Sequence, residues 1–173
     1  ALANSDVNAS TITFDPTVFG SAQTITLSAG QLDITTPTTV TGPGSTLLTI
    51  DADAASRHFE INDVDFASNA DVGLSGITLR NGSASRGGAV FAVENLTLED
   101  IAMTYNDASV IAAGLYSRPS AEPGALTITN SAFDDNLSGR SGGTGAYLVG
   151  RAGGTITIAN STFNRNTNSR DEF

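Results

Sequence analysis

Apolar and polar residues alternate along most of this chain in short runs that are rich in β-branched side chains. Turn-forming residues such as Gly42-Pro43-Gly44 separate these runs. Alternation with a period of two is the pattern of a half-buried β-strand. The sequence therefore predicts strands over 11–14, 24–27, 32–34, 39–41, 47–50 and 59–61. A helical pattern is expected, if anywhere, only in the first few residues and over 51–56.

From residue 72 onward the pattern becomes a repeat. Segments 96–106, 126–136 and 156–166 follow one another at a spacing of 30 residues, which is the length of one supersecondary unit. Each segment contains an L-T-I-type strand and then a second short apolar strand. Runs that begin with glycine or alanine, near 87–91, 113–116 and 143–148, supply a third strand. Three strands per turn predict a triangular solenoid.

Stacking of such coils places equivalent residues above one another, about 4.8 Å apart. The inward apolar rows are Leu96, Leu126 and Ile156; Leu98, Ile128 and Ile158; and Met103, Phe133 and Phe163. Two polar rows are Asp100, Asn130 and Asn160, and Asn106, Asn136 and Asn166. Asp and Asn tolerate a positive φ, and their side chains bond to backbone and to one another at corners. We assign these polar rows a structural role, since a metal-binding row would need converging carboxylates.

The charge of the chain limits its partners. All eight basic residues are arginine, and 18 Asp and Glu residues give a net charge of −10 at pH 7. This field repels phosphate backbones and anionic bilayers, so neither nucleic acid nor membrane insertion is expected. The absence of cysteine excludes disulfides and thiolate metal sites. No apolar run approaches the ~20 residues that a membrane-spanning helix requires.

Both ends of the chain have the character of cut ends. The chain opens at Ala1 without an initiating Met or a signal peptide, and the third repeat stops at Phe173 before its own Gly-led segment. We therefore expect one β-helical domain over 1–173, cut from a larger protein, with less regular coils over 1–71 and regular coils over 72–173. Open coil edges also predict end-to-end self-association.

Short motifs carry a family resemblance. Segments 87–90 (GGAV), 133–136 (FDDN) and 163–166 (FNRN) resemble the GGA(I/V/L) and FxxN repeats of chlamydial polymorphic outer-membrane proteins. Those proteins belong, with pectate lyases, to the right-handed parallel β-helices. The N-terminal half is similar to the segment that follows a CSLREAI motif in large secreted bacterial proteins, with residues 1–4 as the tail of that motif.

The resemblance implies an all-β fold, a right-handed parallel β-helix with three strands per coil and roughly six to seven coils. It also implies a location outside a bacterial cell or on its surface. Gly-Gly-Ala is intact only once in the chain, and the first FxxN unit is replaced by M-T-Y-N at 103–106. Both changes keep a small or an apolar inward position, so the motifs predict the fold and leave the activity open.

Right-handed β-helix enzymes carry carboxylates in a groove, where these hold Ca²⁺ beside an Arg base or act as an acid–base pair. Candidates here are Asp134 and Asp135 near Arg140, with Asp100 and Asp107 one coil earlier. Their spacing permits a shared face without requiring one, and charged corners are usually solvated. No cofactor or metal is expected, with Ca²⁺ as the one ion that these carboxylates would suit.

Other catalytic and nucleotide-binding motifs are missing. His58 is the single histidine, and no G-x-S-x-G nucleophile elbow accompanies it, so we predict a surface residue at the start of a strand. Neither a G-x-G-x-x-G loop nor a P-loop is present.

The leading hypothesis is a structural or adhesive module of a bacterial extracellular or cell-surface protein, whose lateral faces contact a carbohydrate or a protein. The alternatives are a polysaccharide-active lyase or hydrolase, an end-to-end filament subunit and an ice-binding protein. Ice binding would use outward threonine arrays, and Thr97, Thr127 and Thr157 form one outward row. The companion row is Glu99, Thr129 and Ala159, so a second threonine row is missing there.

Overall fold

The computed structural model describes residues 3–5, 8–65, 67–139 and 143–169, and nearly every regular element in these ranges is a β-strand. Residues 1 and 2 of the motif tail and the chain end at Phe173 lie outside the described residues. The strands are β1 (Ser10–Thr13), β2 (Gln23–Thr26), β3 (Leu32–Ile34), β4 (Thr38–Thr41), β5 (Leu48–Asp51), β6 (Phe59–Ile61), β7 (Asp71–Arg80), β8 (Ser83–Arg86), β9 (Val90–Ala92), β10 (Asn95–Thr104), β11 (Asp107–Ile111), β12 (Leu115–Ser117), β13 (Ala125–Thr129), β14 (Ala132–Asp134), β15 (Leu137–Ser138), β16 (Ala146–Leu148), β17 (Thr155–Ala159), β18 (Thr162–Asn164) and β19 (Thr167–Asn168).

Among the described residues, helical structure is limited to a 3₁₀ turn at Ala3–Ser5 and a short helix α1 at Pro16–Phe19. Asp15 caps α1, since its carboxylate accepts the N–H of Thr17 at 2.8 Å. The prediction of a helix over 51–56 was wrong: residue 51 ends β5, and Asp53 and Ala54 form a turn with φ of 50° and 55°.

The strands form three parallel sheets. In sheet A the order is β1-β4-β7-β10-β13-β17, with the pairs β2-β5 and β14-β18 joined to it. Sheet B has the order β16-β12-β9-β6-β3, and sheet C the order β19-β15-β11-β8. The predicted all-β class with parallel strands is confirmed, and the three parallel sheets are consistent with a parallel β-solenoid.

The assignment of strands to sheets differs from the prediction. The L-T-I strand and the apolar strand after it both belong to sheet A, and β10 contains both in one element that bends at Asp100. Sheet C is built instead from strands that follow the buried Asn row, and the sequence did not predict these. They are two to five residues long, which is too short for a period of two to be recognised.

The register of the sheets stacks like residues, and the core lies between the three sheets. Leu96 pairs with Leu126 and Leu126 with Ile156, while Met103 pairs with Phe133. Met103 and Phe133 are fully buried, and the Phe133 ring stacks on that of Phe163 with centroids 4.6 Å apart. The last strands of the stack leave Ile156, Ile158 and Phe163 between 40% and 45% exposed.

Candidate functional site

The carboxylates proposed from the sequence lie on different parts of the solenoid. Asp134 ends β14 in sheet A, where it is in register with Thr104. Asp107 begins β11 in sheet C, in register with Leu137. The structure therefore does not bring these two carboxylates into one column, and Arg140 lies outside the described residues.

Asp135 forms an ion pair with Arg165 of the following repeat. Its two oxygens accept hydrogen bonds from Nε and Nη2 of Arg165 at 2.6 and 2.8 Å, and these bonds hold the pKa of Asp135 below its ordinary value. Asp134 accepts the backbone N–H of Asn164 at 3.1 Å. Both carboxylates thus bind the following repeat.

The two remaining carboxylate candidates are also separate. Asp100 accepts hydrogen bonds from the backbone N–H of Ser45 at 3.0 Å and from its hydroxyl at 2.6 Å. Partial desolvation of its carboxylate raises the pKa of Asp107 above its ordinary value. Within the described ranges, no three His, Asp or Glu side chains are placed to hold one metal ion.

Each corner of the solenoid requires a residue in the left-handed region. Asp100, Asn130 and Asn160 have φ between 50° and 52° at the bend within sheet A. Tyr105, Asp135 and Arg165 have φ between 51° and 57° immediately before the second polar row. Asn and Asp adopt such a backbone more readily than most residues, so the first polar row serves the corner geometry.

The second polar row forms a buried amide ladder. Asn106 donates from Nδ2 to Asn136 Oδ1 at 2.9 Å, and Asn136 donates to Asn166 Oδ1 at 2.8 Å. Each amide also donates to a backbone carbonyl of the preceding repeat: that of Leu79 for Asn106 and that of Met103 for Asn136. These bonds satisfy polar groups inside the corner, where an unpaired one would be costly.

His58 is not a surface residue, and the prediction that placed it there was wrong. Its side chain is completely buried, and Nε2 lies 3.0 Å from the carbonyl oxygens of both Ile50 and Arg80. Burial lowers its pKa to about 4, against the effect of these carbonyls, so the ring is neutral at pH 7. Nδ1 has no hydrogen-bond partner among the described residues. The sequence prediction missed this burial because the charged residues Arg57 and Glu60 lie close to His58 in the chain.

Glu94 is a buried carboxyl that the sequence did not single out. Its Oε2 accepts the N–H of Ala70 at 2.8 Å and its Oε1 accepts that of Asp63 at 3.3 Å. It therefore holds the loop before β7 at two points. Burial raises the pKa of Glu94 to about 7, and the nearby Asp63 acts in the same direction. In the sequence, the only indication of this buried carboxyl is that Glu94 directly follows the apolar run of β9.

An aromatic ladder crosses the outside of sheet B. The rings of Phe91 and Tyr116 stack with centroids 5.0 Å apart, and those of Tyr116 and Tyr147 with centroids 5.4 Å apart. The guanidinium of Arg57 lies 5.1 Å from the centre of the Phe91 ring. Because the ring faces are directed at one another, the aromatic surface that the ladder leaves accessible lies mainly at its last ring, Tyr147, which is 37% exposed.

The outer face of sheet A carries a column of threonines, the threonine column. It runs through successive registered strands and contains Thr11, Thr39, Gly73, Thr97, Thr127 and Thr157. A second outward column, two residues further along each strand, contains Thr13, Thr41, Ser75, Glu99, Thr129 and Ala159. The sequence predicted the part of the threonine column formed by residues 97, 127 and 157, and the structure extends it across β7, β4 and β1.

A cleft of about 340 Å³ interrupts this column at Gly73. Thr39 and Thr97 flank it within the column, and Asp71 and Asn95 bound it on one side. Asn95 donates to Asp71 Oδ1 at 2.8 Å, and its own Oδ1 accepts the N–H of Ala125. The cleft therefore combines apolar surface from Val72 and Leu96 with polar groups that a short hydrogen-bonded chain holds in place. Glycine at a threonine position was its sequence signal.

Comparisons with known proteins return no relative of this chain. No family model matches it, and neither a curated protein nor a solved structure shows significant similarity. Among the described residues, no helix has the length and apolar character needed to cross a membrane. The geometry of the chain itself is therefore the basis on which a function can be proposed.

Proposed function

We propose that this chain is a structural and adhesive module of a bacterial extracellular or cell-surface protein. It is built as a right-handed parallel β-helix of six to seven coils, of the pectate-lyase-like type. The outer face of sheet A contacts a carbohydrate or a protein surface. One contrast supports the proposal: the asparagine amides inside the solenoid are engaged in stacking, whereas the hydroxyls of Thr39 and Thr97 on this outer face make no hydrogen bond to the described residues.

The contrast is clearest among the hydroxyl and amide groups. Asn136 donates and accepts across two repeats while completely buried. Thr39 and Thr97 are exposed, and their hydroxyls make no hydrogen bond to any part of the chain that the structure describes. A threonine hydroxyl offers one donor and two acceptor positions, so a row of free hydroxyls can bind polar groups of a partner.

Enzymatic activity has less support. Asp134 and Asp135 are engaged with the next repeat, and Asp107 lies on another sheet. An acid–base pair needs two carboxyl groups on opposite sides of one bond, and this arrangement brings no such pair together.

Binding by the full chain on a glycan array and on a panel of immobilised surface proteins tests the proposal. The paired variant Thr97→Arg/Thr127→Arg should abolish binding, since it places two long cations on the outer face of sheet A. Thr167→Arg, at an exposed threonine of sheet C, is the matched control and should bind as the wild type does. Light scattering must confirm that the chain is a monomer. Self-association through the exposed apolar side chains of Ile156 and Phe163 would make binding multivalent and raise the apparent affinity. Wild-type chain that binds neither glycan nor protein would refute the proposal.

Ice binding is a second candidate, and the two outward columns are what favours it. Three strands fill both outward columns with threonine: β1 with Thr11 and Thr13, β4 with Thr39 and Thr41, and β13 with Thr127 and Thr129. Gly73 and Glu99 interrupt this array at its centre. Thermal hysteresis of the wild-type chain tests this candidate directly, and its absence would remove it.

A further inference from the structure

Gly73 has no structural reason to be glycine. It lies inside β7, its φ is not in the left-handed region, and a Cβ there would lie 3.6 Å from the nearest atoms of Thr39, which is an ordinary contact. By contrast, a Cβ at Gly42 would come within 2.2 Å of the Gly76 carbonyl oxygen. Packing therefore demands glycine at position 42 and not at position 73.

A glycine inside a strand weakens that strand and often marks a place where a ligand approaches the backbone. Gly73 lies in the lining of the cleft between Thr39 and Thr97, so a side chain at this position would occupy part of its space. The neighbouring threonine column shows which residue type the sheet accepts at this position. The cleft beside Gly73 is thus the feature that needs a functional explanation.

The groups around the cleft define the chemistry of its ligand. The hydroxyls of Thr39 and Thr97 make no hydrogen bond to the described residues, and one oxygen of Asp71 is likewise without a protein donor there. In the part of the chain that the structure describes, no Arg lines the cleft, and the chain carries a net charge of −10. These groups suit a ligand rich in hydroxyls and without negative charge.

From this geometry we infer that the Gly73 cleft is a subsite for one neutral sugar residue of a glycan. The inference rests on the proposed adhesive function and specifies its ligand class. A sugar hydroxyl donates to Asp71, others exchange hydrogen bonds with Thr39 and Thr97, and the ring lies against the bare backbone of Gly73. The volume is at the small end of ligand pockets, which span about 300–1,000 Å³, as expected for a single unit of a chain that continues along the open face.

The decisive variant is Gly73→Thr, which completes the threonine column and fills the cleft. Threonine is favoured over glycine in a strand, so the melting temperature should stay the same or rise. Affinity for the neutral oligosaccharide with the strongest array signal, measured by calorimetry, should fall about tenfold or more. Gly150→Thr adds the same group at a glycine outside the cleft lining, where a Cβ would lie 3.7 Å from the nearest atom of Ile156, and it should leave affinity unchanged.

Two further arms identify the ligand chemistry. Asp71→Asn keeps the acceptor for Asn95 and removes the charge, and loss of one charge-assisted hydrogen bond predicts about a tenfold weaker affinity. Uronate-containing and sulfated oligosaccharides should bind at least an order of magnitude more weakly than neutral ones.

The possible outcomes separate this inference from the proposed function. Wild-type binding that is abolished by Thr97→Arg/Thr127→Arg but unchanged in Gly73→Thr would refute the subsite and leave the adhesive face standing. Wild-type chain that binds no glycan would refute the subsite in either case, and binding to a surface protein would then decide the broader proposal. Stronger thermal hysteresis in Gly73→Thr without glycan binding would assign the face to ice.

Discussion

The Nε2 atom of His58 lies 3.0 Å from the carbonyl oxygen of Ile50, in the place that an asparagine amide occupies in later repeats. Ile50 is in register with Leu79, whose carbonyl accepts from the Asn106 amide. The N–H of Gly82 donates to Asn106 Oδ1 at 2.7 Å, as the N–H of each ladder Asn does to the next. Gly82 therefore occupies the ladder position without a side chain, and His58 supplies the missing hydrogen bond from another segment.

Replacing His58 by alanine should destabilise the protein strongly. The change leaves the Ile50 and Arg80 carbonyls without their imidazole donor and opens a cavity, so a loss of roughly 2–5 kcal/mol in the free energy of unfolding is expected. Urea denaturation measures it. His58→Phe keeps most of the volume and should recover part of the loss. A cost of under about 1 kcal/mol for His58→Ala would contradict this role.

The pH dependence of stability should reveal two buried groups that act in opposite directions. The pKa of Glu94 is raised to about 7, so its favourable contribution is complete below its ordinary value of 4.5 and is lost as pH rises through 7. The pKa of His58 is lowered to about 4, so its contribution is complete above 6.5 and is lost as pH falls through 4. Between about 4.5 and 6.5 the two effects oppose each other, and the wild-type curve should be shallow.

Single variants should separate these two contributions. In Glu94→Gln, stability should rise with pH across this window, because the histidine effect remains. In His58→Phe, stability should fall with rising pH, because the carboxyl effect remains. Chemical denaturation at half-unit pH intervals provides the curves. If the stability curves of the wild type, Glu94→Gln and His58→Phe had the same slope in this pH window, the shifted pKa values of Glu94 and His58 would be contradicted.

The amide ladder should be far more sensitive to substitution than the exposed corner row. Asn136→Ala removes the amide donor to Met103 and Asn166 and the acceptor for Asn106, all in a buried corner. We expect a loss of about 3 kcal/mol or more, since several buried groups are left unpaired together. Unfolding monitored by circular dichroism, with hydrogen exchange at the corner amides, measures this loss.

Asn130 is the matched control for the ladder. It is exposed, has a φ of 52° and accepts only a long hydrogen bond from Asn160 at 3.4 Å, so its contribution is mainly conformational. Asn130→Gly should be close to neutral, and Asn130→Ala should cost about 1 kcal/mol because alanine tolerates that backbone less well. Equal losses in the free energy of unfolding for Asn136→Ala and Asn130→Ala would contradict the difference in role between the two polar rows.

Much of the fold could be predicted because the repeat and the alternation are local signals. The predicted strands over 32–34 and 59–61 coincide with β3 and β6, and the other four early strands are found within one residue at each end. The strands of sheet C were missed, since Leu137 and Ser138 form a strand of two residues that has meaning only through pairing with β11 and β19.

Less of the site could be predicted, because it depends on which residues the register brings together. Gly73 gains meaning only when Thr39 and Thr97 are placed on either side of it, and these lie 34 and 24 positions away in the sequence. His58 was misplaced because its burial follows from the empty ladder position at Gly82. Periodicity detects what repeats, whereas these residues matter as departures from the repeat.

The ring of Phe133 should be among the most sensitive positions of the core. It is completely buried, is in register with Met103 and stacks on Phe163 at 4.6 Å, so Phe133→Ala removes contacts to both neighbouring repeats. The expected loss in the free energy of unfolding is about 3–5 kcal/mol for the cavity. Because the ring stacking is lost as well, we expect a value at the upper end of that range. Phe163 is 40% exposed, and Phe163→Ala should therefore cost roughly half as much. Urea denaturation of both variants measures the difference, and equal losses would show that the exposed ring is as well packed as the buried one.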